Sequence, residues 1–227
     1  ITIFMKEGNY MKKLAIFDLD GTLIDSIGSI AGACNEALKE NELEERSVNE
    51  YKYFAGDGAL ELVKRAVYAS GDIEYKKLDS VYSIYKEIFV KDCTKGVVPF
   101  ENINKLLNEL KERKIKLAVL TNKPHDRAVD VVNKIFGNDM FDMVLGYKGE
   151  QTKKPNPYSA LLIAKYFNID LKDCVYIGDT DTDMQTGVNA GMYTIGVTWG
   201  FRDREELIKN KANVIVDNPM ELLNYFT

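Results

Sequence analysis

A short apolar run, Ile16-Phe17, ends in two carboxylates, Asp18 and Asp20, followed by Gly21 and Thr22. Side chains two apart on an extended chain point to the same side, so this spacing crowds like charges together. Such crowding costs free energy unless a cation, a proton or a substrate uses it. Polar groups also close other apolar runs: Thr121 with Asn122, the Lys153-Lys154-Pro155 loop, and Asp179 with Asp183. Oxygen ligands without His or Cys suit a hard cation, and a few carboxylates plus water suit Mg2+ better than Ca2+ or Zn2+. A hydroxyl, backbone N–H groups and a lysine facing the same space suit a phosphoryl group, whose oxygens need donors and positive charge in the transition state. Phosphoryl transfer also gives each aspartate a role: one attacks to form an aspartyl phosphate, and the other moves a proton. His125 is the sole histidine, so mechanisms with two imidazoles are excluded, and a serine or cysteine triad would have to use this residue.

These groups meet only if the elements bearing them are parallel and end at one edge. The runs Lys13 to Asp18, Lys116 to Thr121, Cys174 to Asp179, Tyr193 to Val197 and Ala212 to Asp217, with another near Val144, read as buried parallel strands. Between them, Ile103, Leu106, Leu107 and Leu110 keep helical spacing, as do Ala128, Val131, Val132 and Ile135. The alternation predicts an α/β fold with a doubly wound parallel sheet, whose ligands bind outside the carboxyl ends of the strands. The stretch from about Ile27 to Lys95 carries helical patterns alone, on Ile27, Ile30, Ala31, Cys34 and Leu38, on Ala59, Leu60, Val63, Ala66 and Val67, and on Leu78, Val81, Tyr82, Tyr85, Ile88 and Phe89. It predicts an inserted all-helical domain over 27–95, a catalytic core over 11–26 and 96–227, and an N-terminal extension over 1–10. Two linkers, near Asp25 to Ser29 and Thr94 to Pro99, would form a hinge.

Composition narrows the function classes. A chain of 227 residues, 45% hydrophobic and 29% charged, can bury one core plus a smaller satellite. A formal charge of -5 without a long single-sign block argues against nucleic acid as partner. No apolar run approaches the roughly 20 residues that span a bilayer, so no membrane partner is expected. Cys34, Cys93 and Cys174 lie far apart among apolar neighbours, which reads as buried thiols in a reducing cytoplasm. The opening ITIFMKEGNY has neither a signal-peptide core nor a small-residue cleavage site, and Met11 reads as the start of the domain proper.

Four segments in order, Asp18-Leu19-Asp20-Gly21-Thr22-Leu23, Thr121-Asn122-Lys123-Pro124, Lys154-Pro155-Asn156-Pro157 and Gly178-Asp179-Thr180-Asp181-Thr182-Asp183, resemble the four motifs of the haloacid dehalogenase superfamily. The resemblance spans nearly the whole chain from Met11 and includes the helical insert, which would be the family's cap. It implies that Asp18 is the nucleophile and Asp20 the general acid and then base. It also implies that Thr121 and the backbone N–H of Asn122 hold the phosphoryl group, with Lys154 offsetting its charge. Mg2+ would be ligated by Asp18, the backbone carbonyl of Asp20, and Asp179, with Asp183 behind them positioning metal-bound water or Lys154. Tyr53 to Val67 is similar to the cap loop of phosphoglycolate phosphatases, which would put Gly56, Asp57 and Gly58 against the substrate, and Gly196 to Gly200 looks like a core loop of that group.

The resemblance implies a cytoplasmic Mg2+-dependent phosphatase acting on a small phosphorylated metabolite. Pyrophosphatases and sugar phosphate mutases of the β-phosphoglucomutase type share these motifs and stay open. Asp20 argues against dehalogenase and phosphonatase chemistry, because those groups lack an aspartate there. A receiver-like phosphoryl switch also clusters aspartates, a threonine and a lysine, but it is about half as long and has no helical insert. Structural readings stand beside the functional ones: Thr121-Asn122 as a helix N-cap, Gly56 and Gly58 as a helix-helix turn, His125 as a surface residue in a first helical turn, Arg65 as solvated or packed within the cap, and Trp199 as packed or lining the cavity. Oligomeric state has no signature in the sequence.

Overall fold

The computed structural model describes residues 12–226, so the expected extension over 1–10 lies outside the described residues. The chain runs β1 (Leu14–Phe17), β2 (Ile24–Asp25), α1 (Ile27–Glu40), α2 (Val48–Phe54), α3 (Ala59–Ala69), α4 (Leu78–Asp92), β3 (Val98–Pro99) and α5 (Ile103–Glu112). It continues through β4 (Lys116–Pro124), α6 (His125–Phe136), β5 (Met143–Tyr147), α7 (Tyr158–Phe167), β6 (Cys174–Gly178), α8 (Asp181–Asn189), β7 (Tyr193–Val197), α9 (Arg204–Lys209) and β8 (Val214–Val216).

Six strands form one sheet in the order β5-β4-β1-β6-β7-β8, every neighbouring pair parallel. Side chains alternate between its two faces. Leu14, Ile16, Ala118, Leu120 and Tyr176 pack with Ala160, Ile163 and Ala164 of α7. Ala15, Phe17, Leu117, Val119, Val175 and Ile177 share the opposite cluster with Ile103, Leu106, Leu107 and Leu110 of α5 and with Ala128, Val131 and Val132 of α6. Both faces are covered, which is why the strand sequences are uniformly apolar instead of alternating.

Helices α1 to α4 follow β1 and pack chiefly on one another, α1 against α4 and α3 against α4. Their inward stripes are Ile27, Ile30, Ala31, Cys34 and Leu38, then Leu62, Val63, Ala66 and Val67, then Val81, Tyr85 and Phe89. One stripe residue differs from expectation. Leu60 is exposed and Leu62 takes its place, because the spacing Ala59, Leu62, Val63, Ala66 and Val67 keeps to one face and Leu60 falls about 100° away from Ala59. Helix α2 carries no long apolar stripe, yet it is announced by a capping box in which Ser47 N donates to Glu50 Oε2 at 2.9 Å. The two chain crossings between these helices and the sheet lie side by side: β2 pairs antiparallel with β3, Ile24 opposite Pro99 and Asp25 opposite Val98.

Candidate active site

Parallel strands bring their carboxyl ends to one edge, and the turn after β1 places Asp18 there. Gly21 makes this turn possible: its φ is +92°, and a Cβ at that position would fall onto the Asp179 carboxylate. Asp179, just past β6, accepts from Thr22 Oγ1 at 2.7 Å and from Phe201 N at 2.8 Å. Asp183 sits in the first turn of α8, where Oδ2 accepts from Thr180 N at 3.1 Å and Thr180 Oγ1 at 2.7 Å. Gly178 clears the space for it, since a Cβ there would strike the Asp183 side chain. Lys154 joins the loops by donating from Nζ to Asp18 Oδ1 and Asp183 Oδ1, both at 2.7 Å.

Asp18, Asp179 and Asp183 are buried and offer carboxylate oxygens within 4.8 Å of one another. Burial, with the neighbouring Asp183 charge, pushes the Asp18 carboxyl well above its ordinary range. The same two causes lift Asp179 to about 7 against the hydrogen bonds from Phe201 and Thr22. Burial opposes the Lys154 ammonium, but Asp18 and Asp183 outweigh it and raise that group. Three carboxylates thus face one ammonium, and their full ionisation would exceed the charge that the lysine neutralises. An all-oxygen donor set with surplus buried charge fits a hard divalent cation.

Above this cluster lies a cavity of about 60 Å³ lined by Asp18, Asp20, Thr121, Asn122, Lys123 and Lys154 from the core and by Gly56 and Gly58 from the helical segment, with apolar side chains closing it. That volume holds a few water-sized groups. Asp20 differs from Asp18 in its partner: both of its oxygens accept from Lys123 Nζ, at 2.9 and 3.0 Å. Asn122 ties three segments together, its side chain donating to Gly56 O at 3.0 Å and Lys154 O at 3.3 Å and accepting from Lys154 N at 2.8 Å. Asp57 lines an adjoining cleft instead. Its carboxylate is taken by Arg65 and by Thr182 Oγ1, the latter at 2.9 Å.

The family model described as haloacid dehalogenase-like hydrolase matches residues 15–197, a stretch that includes Asp18, Asp20, Thr121, Lys154, Asp179 and Asp183. The chain belongs to that family. It is 31% identical over 220 residues to the phosphoglycolate phosphatase of Psychrobacter arcticus, covering 94% of this chain and 95% of that protein. Among solved structures, a protein provisionally named phosphoglycolate phosphatase from Lactobacillus delbrueckii subsp. bulgaricus superposes with a TM-score of 0.89 at 30% identity, over 95% of this chain and 98% of that one. A haloacid dehalogenase-like family hydrolase from Streptococcus pneumoniae, at 24% identity and a TM-score of 0.84 over 95% and 98% of the two chains, shares the fold. The resemblance carried by the four motifs thus names the right family.

Within this haloacid dehalogenase-like hydrolase, the structural readings of these side chains separate. Strand β4 runs on through Thr121 and Asn122 to Pro124, so the pair is not a helix N-cap. His125 opens α6 as expected and is partly exposed, and its Nδ1 accepts from Gly146 N at 3.2 Å, linking α6 to β5. Trp199 packs and donates from Nε1 to Thr22 O at 3.0 Å. Arg65 stays within the helical segment, on Asp57 and Phe54 O. Two buried cations escaped the sequence reading. Lys123 is one, hidden by attention to Lys154. Arg202 is the other; it donates to the backbone carbonyls of Lys52 and of Ala55, the latter at 2.8 Å, and pairs with Glu206 at 3.0 Å. Among the described residues no helix is long and apolar enough to cross a membrane.

Proposed function

We propose that this hydrolase is a Mg2+-dependent phosphatase that cleaves a small phosphoglycolate-like phosphomonoester through an aspartyl-phosphate intermediate. The observation that carries the reading is the convergence of Asp18, Asp20, Thr121, Asn122 and Lys154 on one small cavity. Asp18 attacks phosphorus as the ester P–O bond breaks, and Asp20 gives its proton to the departing alkoxide oxygen. A water then attacks the phosphorus of the aspartyl phosphate; Asp20 takes the water's proton, the acyl phosphate P–O bond breaks, and Asp18 is restored with release of inorganic phosphate. Thr121 and the Asn122 backbone N–H hold the transferring group, and Lys154 offsets the charge that builds on its oxygens. Asp18, the backbone carbonyl of Asp20 and Asp179 would hold Mg2+, with Asp183 steadying Lys154 behind them. When bound, the ion neutralises phosphoryl charge and the surplus carboxylates. The helical segment over 27–95 acts as a cap domain whose Gly56 to Gly58 loop closes the cavity and excludes water.

The relatives named phosphoglycolate phosphatase support the substrate class. Its test is phosphate release from phosphoglycolate, pyrophosphate, nucleoside monophosphates and hexose phosphates, with and without Mg2+. Asp18→Asn removes the nucleophile and should cut release by roughly a thousandfold or more. Release that survives this substitution, or that ignores removal of Mg2+, would defeat the mechanism. A preference for pyrophosphate, or isomerisation of a hexose phosphate without release, would move the protein to another branch of the same family.

A further inference from the structure

Lys123 has a position that the mechanism above leaves unused. Its side chain is 3% exposed, its ammonium touches both oxygens of Asp20, and it lies 4.9 Å from the ring centroid of Phe89 on α4. It also lines the cavity. The remaining cations near the cavity are committed elsewhere. Lys154 bridges Asp18 and Asp183, Arg65 holds Asp57, and Arg202 is spent on backbone carbonyls and Glu206. The helical segment lines the cavity with glycine backbone, with the apolar Ile30, Ala55, Ala59, Leu62 and Phe89, and with the Tyr85 phenol, none of which offers positive charge.

An anion on the leaving group therefore has one cation to meet. A lysine ammonium carries three N–H donors, and two of them are aimed at Asp20. We propose that Lys123 selects substrates whose leaving group bears its own carboxylate, donating the third N–H to that anion while steadying Asp20 beside the departing oxygen. This inference rests on the phosphatase reading and on Asp20 as the group that protonates the leaving oxygen. Geometry then restricts the substrate further. An ammonium that touches Asp20 reaches only an anion a few bonds from the oxygen that Asp20 protonates, which describes the phosphate ester of a small 2-hydroxy acid. The Phe89 ring face over the ammonium limits how far the lysine can swing, so longer or neutral leaving groups gain nothing from it.

The test compares phosphoglycolate with 2-hydroxyethyl phosphate, an ester of the same length whose leaving group is neutral, in the full-length enzyme with Mg2+. The unmodified protein should favour the carboxylated ester in kcat/KM. In Lys123→Met both rates should fall because Asp20 loses its partner, but phosphoglycolate should fall roughly ten- to hundredfold further, the size of one hydrogen bond to a charged group. Most of that extra loss should appear in KM. Lys123→Arg should keep the preference. An equal fall for both esters would make Lys123 a support for Asp20 alone and overturn the proposal, as would an unmodified enzyme without preference. Turnover of neither ester by the unmodified enzyme would defeat the phosphoglycolate-like substrate reading on which this rests. Product inhibition supplies a check that needs no variant: glycolate should inhibit the unmodified enzyme at concentrations where ethylene glycol does not, and equal inhibition would overturn the assignment.

Discussion

Asp179 accepts two hydrogen bonds, from Thr22 and Phe201, and still titrates near 7 because burial and Asp183 outweigh them. An unfolded aspartate titrates near 3.9. Between about pH 4 and 7 the metal-free folded chain therefore holds a proton that the unfolded chain has lost, and its stability falls as pH rises through that window. Asp18, raised by the same causes, acts in the same direction. A cation favours the ionised forms, so Mg2+ should raise the melting temperature more at about pH 8 than at about pH 5. Thermal melts at both pH values, with Mg2+ and with chelator, check this; an equal shift would remove the buried carboxylates as ligands. These acids were legible in the sequence because each follows an apolar run and recurs at short spacing. Lys123 and Arg202 were not, since an isolated cation has no period, and their partners Asp20 and Ala55 lie 103 and 147 positions away along the chain.

At the scale of elements, α2 ends in carbonyls that no later turn of the helix can satisfy. Arg202, beyond β7, supplies donors to Lys52 and Ala55, and its charge meets the negative end of the helix dipole. Arg202→Met should strand those carbonyls and the Glu206 carboxylate, costing about 1–3 kcal/mol and lowering the melting temperature by about 2–10 °C. Amide exchange after Phe54 should quicken as well. An unchanged melt and unchanged exchange there would show the contact to be dispensable. The strands were legible because burial on both faces leaves an unbroken apolar run, and α5 and α6 because three or four apolar residues recur with helical spacing. Helix α2 was harder: its burial rests on Tyr51, so its capping box was the remaining signal. The continuation of β4 to Pro124 could not be read, because Asn122 and Lys123 are polar and gain their place from partners on other loops.

For the whole molecule, the cavity is bounded by both the sheet edge and the helical segment, held together by Asn122 to Gly56, Thr182 to Asp57 and Arg202 to Ala55. With the helical segment in its proposed role as a cap, it is expected to open by turning about the linkers near Ser26 and Gly96. Solution scattering should report a larger radius of gyration for the free protein than for the protein with Mg2+ and inorganic phosphate. Identical profiles would argue that substrate enters without cap movement. The run of helices α1 to α4 was legible as a loss of strand rhythm, whereas the contacts across the boundary depend on geometry that periodicity does not carry.

The β2–β3 ribbon bears on how such a protein changes over time. Since Ile24 faces Pro99, the chain leaves the sheet and returns to it within about one strand spacing, roughly 4.8 Å. Everything between those two residues is a cassette whose ends already meet, so it can be lengthened, shortened or exchanged without asking any strand of the sheet to move. The groups proposed to cut the phosphate bond stay on one side of that junction with Lys123, half of the residues lining the cavity come from the other, and the shape of the pocket can be varied without rebuilding the chemistry.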